Sequence, residues 1–145
     1  MNAIRLIAES LRKLFASSPP SDPSLRMHAA NVTRGTVLAS SLEVADSGPA
    51  RNKGLLDRNS LPPGGGLWII PCQSVHTFFM RFPIDLVYVD SRRRVRKTRT
   101  SVGPSRISFC LTAQSVIELP AGAIQQSKTQ RGDTLQIETI NSTEL

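Results

Sequence analysis

Cys72, His76, Arg81 and Asp85 lie in one stretch, Pro71 to Asp90, that also holds four of the chain's six Phe and Tyr residues. Thiol, imidazole, guanidinium and carboxylate among large apolar side chains are the mixture found where a core meets a site. Metal binding is the first chemistry to weigh. Cys72, His76 and Cys110 are acceptable zinc ligands, and Asp85 is a possible fourth. Yet Cys-x3-His is not a usual structural-zinc spacing, and on an extended strand positions four apart stand ~13 Å from each other. Two buried, reduced cysteines and a hydrogen-bonded histidine are the commoner arrangement. The expectation is therefore no metal and no cofactor.

A nucleophilic enzyme is the second candidate, with a Cys72–His76 thiolate–imidazole pair and Asp85 orienting the ring. No helix terminus stands near Cys72 in the sequence to activate it. The chain also lacks a Gly-x-Ser-x-Gly elbow and a paired-carboxylate motif. Gly64 to Gly66 is followed by neither Lys nor a helix, so it is a linker loop and not a phosphate cradle. The enzyme reading, using Cys72, His76, Cys110 and Asp85, stays an alternative, and the balance leans against catalysis.

Binding is the third. Arg81 and Asp85 flank a Phe82–Pro83 step that bends the strand, because Pro83 cannot donate to a sheet ladder. The bend brings the two charges within reach as a buried pair; otherwise Arg81, beside His76, is free to take a carboxylate or phosphate. A pocket of His76, Arg81, Asp85 and Trp68 is the expected ligand site. Glu118 is a single acid in an apolar strand, facing either a pocket or solvent.

The net charge of +7, from 18 basic against 11 acidic residues, suggests a nucleic-acid partner until it is located. Arg92, Arg93, Arg94, Arg96, Lys97 and Arg99 stand in one octet, and the rest of the chain is nearly neutral. The octet has no interleaved aromatics and no nucleic-acid motif around it. A solvated run that protects a sheet edge is the favoured reading, with nucleic acid unlikely.

These residues must be positioned by short elements. Ile4, Ile7, Leu11 and Leu14 recur at helical spacing, which predicts an amphipathic helix over 1–16. It packs on the domain or makes a peripheral membrane contact through residues 4–15. The Pro/Ser-rich residues 17–32 read as a linker. Gly35 to Ala45 suits one or two strands. Asp46 to Pro49 starts a helix expected to carry Arg51, Lys53, Leu55, Leu56 and Arg58. Strands are expected at Gly66 to Ile70, Ile84 to Val89, Arg94 to Ser101 after a turn at Asp90 to Arg93, Ser115 to Leu119, and Thr134 to Glu138, with a short helix within Ala121 to Gln130.

Arg51-x-Lys-Gly-Leu-Leu-x-Arg58, Gly66-Leu-Trp-Ile69 with Pro71-Cys72, the run from His76 to Asp85, Val116 to Gly122, and Gly132-Asp133 occur in this order and spacing. Together, from Thr33 to Glu138, they resemble an uncharacterised conserved prokaryotic family, number 192 among the domains of unknown function. Leu56 and Arg81–Phe82 depart from the wording of many members. The resemblance implies a compact β-rich domain and no established reaction.

The expected architecture is mainly β, a β-rich α+β domain over 33–145. It is a compact antiparallel, barrel-like sheet with two short helices, preceded by the N-terminal helix. The expected function is non-catalytic binding of an unknown small ligand or protein partner. No run approaches the ~20 apolar residues that span a bilayer. With no secretory signal, a cytoplasmic place with reduced thiols is the default.

Overall fold

A computed structural model describes residues 21–140. Its elements are β1 (Met27–Asn31), β2 (Thr36–Ala45), α1 (Gly48–Lys53), β3 (Gly65–Ile69), β4 (Ser74–His76), β5 (Ile84–Val89), β6 (Val95–Val102), β7 (Ile107–Phe109), β8 (Ser115–Pro120), α2 (Ala123–Ser127) and β9 (Leu135–Thr139). Seven strands form one sheet in the order β6-β5-β8-β3-β2-β1-β9, and β4 pairs with β7 in a separate ribbon. Every pairing is antiparallel except that of β2 with β3. The large sheet curls into a half-barrel whose two ends meet at one corner. There Leu135 donates its N–H to Arg93 (2.8 Å) and Val95 donates to Asp133 (2.8 Å).

Curling gives the sheet an inside and an outside, and both are covered. Inside, Leu38, Leu42, Trp68, Val87, Val89, Ile117, Leu119 and Leu135 form one apolar cluster, plugged by Ile124 of α2. Outside, Leu67, Ile69, Ile84, Leu86, Tyr88 and Val116 form a second, roofed by Leu55, Leu61, Val75 and Met80. The central strands β3 and β5 are therefore buried at every position. This explains why Ile84–Val89 reads as a continuous apolar run and not as an alternation. Gly66 lets β3 lie close to its neighbours: a Cβ there would stand 2.7 Å from the Glu118 carbonyl and 2.8 Å from Leu42. The Asp90 turn forms as its sequence predicts, with Oδ1 accepting from the N–H groups of Arg92 and Arg94.

Several expectations need correction. Strand β1 lies inside the 17–32 stretch read as linker; its Met27–Asn31 backbone pairs with both β2 and β9, so the sheet begins before residue 33. Gly35 to Ala45 is one ten-residue strand. Helix α1 is capped by Ser47, whose hydroxyl accepts from Ala50 N–H, but it ends at Lys53. Gly54, at φ 50°, stops it, and Leu55, Leu56 and Arg58 follow in turns. Helix α2 forms within the expected Ala121 to Gln130 span, and its last residue, Ser127, donates its hydroxyl back to the Ala123 carbonyl (2.9 Å). The helix expected over 1–16 lies outside the described residues.

Candidate functional site

The four residues expected to share a pocket are distributed over both faces of the sheet. Trp68 points inside the half-barrel, where its indole N–H donates to Ser115 Oγ (3.0 Å) and Arg93 stacks 4.7 Å above the ring. Asp85 is fully buried and accepts three backbone N–H bonds, from Ser101 (2.9 Å), Gly122 (3.1 Å) and Ile124 (3.0 Å). It tethers α2 to the barrel mouth. Arg81 does not meet Asp85: it lies at the surface and donates to the Asp57 carbonyl and to Asn59 Oδ1. The bend at Phe82–Pro83 thus separates the two charges instead of pairing them.

Of the four, His76 reaches a concavity. It lines a recess of about 80 Å³ on the outer face, with Arg51, Gly54, Leu55, Leu56, Cys72, Met80 and Glu118. The floor is Glu118. On β8 its side chain falls between Leu67 of β3 and Leu86 of β5, its register partners on either side. It is 5 % exposed, and Oε2 has no hydrogen-bond partner among the described residues. Burial pushes its carboxyl up to about 7, and the charge of Arg58 pulls only weakly against this. Arg58 is committed elsewhere, forked onto Glu43 at 2.5 and 3.1 Å, and holds that carboxyl below its ordinary value.

The Arg51 to Arg58 motif builds the opposite wall. Arg51 donates to the Asp46 carbonyl (3.0 Å), and Gly54 leaves open the space above the carboxyl: a Cβ there would stand 3.9 Å from Glu118 Oε2. The sequence marked Glu118 as ambiguous between pocket and solvent; the deciding signal is that β8 is covered on both faces. A carboxyl near neutrality, beside a thiol and an imidazole, is able to accept or donate a proton and to receive a hydrogen-bond donor.

Cys72 and Cys110 are free thiols beneath the ribbon, Cys72 half-buried and Cys110 buried. Cys72 Sγ donates to the Ser74 carbonyl (3.1 Å), and burial pushes its thiol up. That is the opposite of an activated nucleophile. No group of three or more His, Cys, Asp or Glu among the described residues is placed to hold a metal ion, so Cys72, His76 and Cys110 do not assemble into one. The arginine octet runs from the Asp90 turn along β6, at the edge of the sheet order. Part of it is engaged within the molecule: Arg93 on Trp68, Arg96 on Thr112, and Lys97 on the Phe109 carbonyl (2.8 Å). Among the described residues no helix is long and apolar enough to cross a membrane.

Comparison with known proteins adds a family and no activity. A "UPF0127 protein" of Thermococcus gammatolerans is 30% identical over 110 residues, covering 72% of this chain and 71% of its own. UPF0127 protein TK1120 of Thermococcus kodakarensis is 28% identical over 110 residues, covering 72% and 69%. Two crystal structures share the fold. One, from Sinorhizobium meliloti, is described as a "putative transcription regulator" (R01717), with TM-score 0.68 at 20% identity over 77% of this chain and 92% of that one. The other, a protein of unknown function from Novosphingobium aromaticivorans, has TM-score 0.67 at 18% identity over 84% and 95%. The model of the DUF192 family, described as uncharacterized ACR, matches residues 29–137, and the chain belongs to that family.

Proposed function

We propose that this domain is a non-catalytic binding module, and that its receptor is the recess floored by Glu118. The observation that carries this reading is a carboxyl buried between two leucines with one oxygen unpartnered, beneath an opening kept clear by Gly54. A recess of about 80 Å³ is far below the ~300 Å³ of a drug-sized site. It takes the end of a molecule: an ammonium, amide or hydroxyl group of a small ligand, or of a partner's side chain. Arg51 and Lys53 on the rim favour an acidic group on the part that stays outside. Arg81 acts at one remove, by bracing the Asp57–Asn59 turn that follows the recess wall. The raised Cys72 thiol argues against the Cys/His enzyme, and the lack of aromatics interleaved along Arg92 to Arg99 argues against the octet as a nucleic-acid contact.

Native mass spectrometry of the untagged protein, purified without chelator or added metal, tests this. The expected result is a stoichiometric small-molecule adduct that Glu118→Leu abolishes and Cys72→Ser leaves in place. Where purification strips the ligand, thermal shifts with free amino acids and small amines replace the adduct as readout. An adduct that survives Glu118→Leu, or one lost with Cys72→Ser in a folded protein, overturns the reading.

A further inference from the structure

On the ribbon's outward face the recess takes Ser74 and His76 of β4 and leaves β7 free. Val75 and Ser108 point inward onto the sheet, while Ile107 and Phe109 point out. Exposure runs against hydrophobicity here: Phe79 is 88% exposed, Leu111 74%, Ile107 64%, Phe109 58% and Phe78 39%. These are five of the eight large apolar residues exposed on the described chain, and they all lie on one ribbon and its flanking turns. At ~200 Å² per large side chain they present on the order of 600 Å² of apolar surface, the top of the range for a soluble monomer. Phe79 is displayed in an unusual way. In the turn closed by Met80 N–H on the Thr77 carbonyl, Met80 is tucked into the core while Phe79 takes φ 66° and projects outward. Bulky residues rarely adopt that conformation.

Basic side chains flank the β7 side of this apolar face. A groove at its foot is lined by Phe109 and Leu111 on one side and by Arg96, Lys97 and Arg131 on the other, with no carboxylate in its lining. Asp90 approaches Arg96 at 3.9 Å from outside the groove. Arg106 stands next to Ile107 at the start of β7.

We propose that the outer face of the β4–β7 ribbon docks on an anionic lipid bilayer, with the phenylalanines and leucine among the acyl chains and the basic groove on headgroup phosphates. Exposed apolar side chains beside a cationic groove whose lining holds no carboxylate match the polarity profile of such a membrane surface. Single-stranded nucleic acid would need stacking aromatics along a basic track, whereas here aliphatic Ile107 and Leu111 interrupt the phenylalanines.

The test is flotation of the full chain with phosphatidylglycerol–phosphatidylcholine vesicles, with pure phosphatidylcholine vesicles as the neutral arm. Binding to the anionic vesicles only is expected, weakening with salt. Phe79→Ser with Leu111→Ser, both at exposed positions, should weaken it about tenfold or more, and Arg106→Glu with Arg131→Glu should do the same. In Phe79→Trp, emission should shift to the blue on adding anionic vesicles. Unchanged binding by the serine variant, which would place attachment in residues 4–15 alone, overturns the proposal. So does an absence of binding, a ribbon-dependent dimer in place of vesicle binding, or capture of single-stranded nucleic acid without lipid.

Discussion

Replacing Glu118 by Gln should remove a pH dependence of stability that the wild-type chain carries between pH 5 and 8. The carboxyl stands at about 7 in the fold against an ordinary value of 4.5. Between those values the folded chain holds a proton that the unfolded chain releases, so stability falls as pH rises. The contribution is complete below about 4.5 and gone above about 7. At 1.36 kcal/mol per pH unit the loss is about 3 kcal/mol, a figure that the near-complete burial of Glu118 permits without discount for screening. At roughly 4 °C per kcal/mol for a domain of this size, the wild-type Tm should drop by on the order of 10 °C relative to Glu118→Gln across that window. Glu43 and Asp133 titrate in the opposite sense. Both are held below their ordinary values, so their contribution is lost only on acidification below the window. Urea unfolding at pH 5 and pH 8, wild type against variant, isolates the term. Parallel pH profiles for the two proteins would refute it, because Glu118 would then be hydrated and the receptor argument would lose its desolvated carboxyl.

Two further outcomes follow from neighbouring groups. Asp85→Ala should cost on the order of 4 kcal/mol in urea unfolding, since buried N–H groups of Ser101, Gly122 and Ile124 lose their acceptor together; a loss under 1 kcal/mol would show that water replaces it. Cys72 should react slowly with a thiol reagent at pH 8 in the folded chain and fast in denaturant, because burial raises its pKa; fast native reaction would revive the nucleophile.

The sequence showed the strands that lie deepest. Ile84–Val89 and Ser115–Leu119 are apolar runs closed by Asp90 and Pro120, and they fold as read because burial on both faces requires no alternation. Strand β1 was hidden because Met27 to Asn31 carries His28 and two alanines, with little β propensity of its own. Its pairing with β2 and β9 supplies what composition does not. Strand β7 was hidden by its length of three residues. The expected site failed for a geometric reason: Trp68 and Asp85 belong to the inner face and His76 to the outer layer, and a one-dimensional stretch cannot show which side of a curled sheet a residue takes. His76 and the Arg51 to Arg58 motif were legible as parts. Their meeting over Glu118 depends on the parallel β2–β3 pair, which carries α1 and its turn across the outer face.

The fold's treatment of its other acids is the strongest argument that Glu118 serves binding. Asp85 is met by three N–H groups; Asp133 by Asn31, Arg34 and the Gln130 N–H; Glu43 by a forked Arg58. Each of these ties together segments distant in sequence, and each is what a structural carboxylate in this chain looks like. Among the described residues Glu118 Oε2 meets no hydrogen-bond partner. A leucine in its place would join Leu67 and Leu86 on an apolar face and spare the about 3 kcal/mol that ionisation costs at neutral pH. A group that weakens the fold and bridges no two parts of it is accounted for by the proposed receptor role, in which a ligand or partner enters through the opening above Oε2.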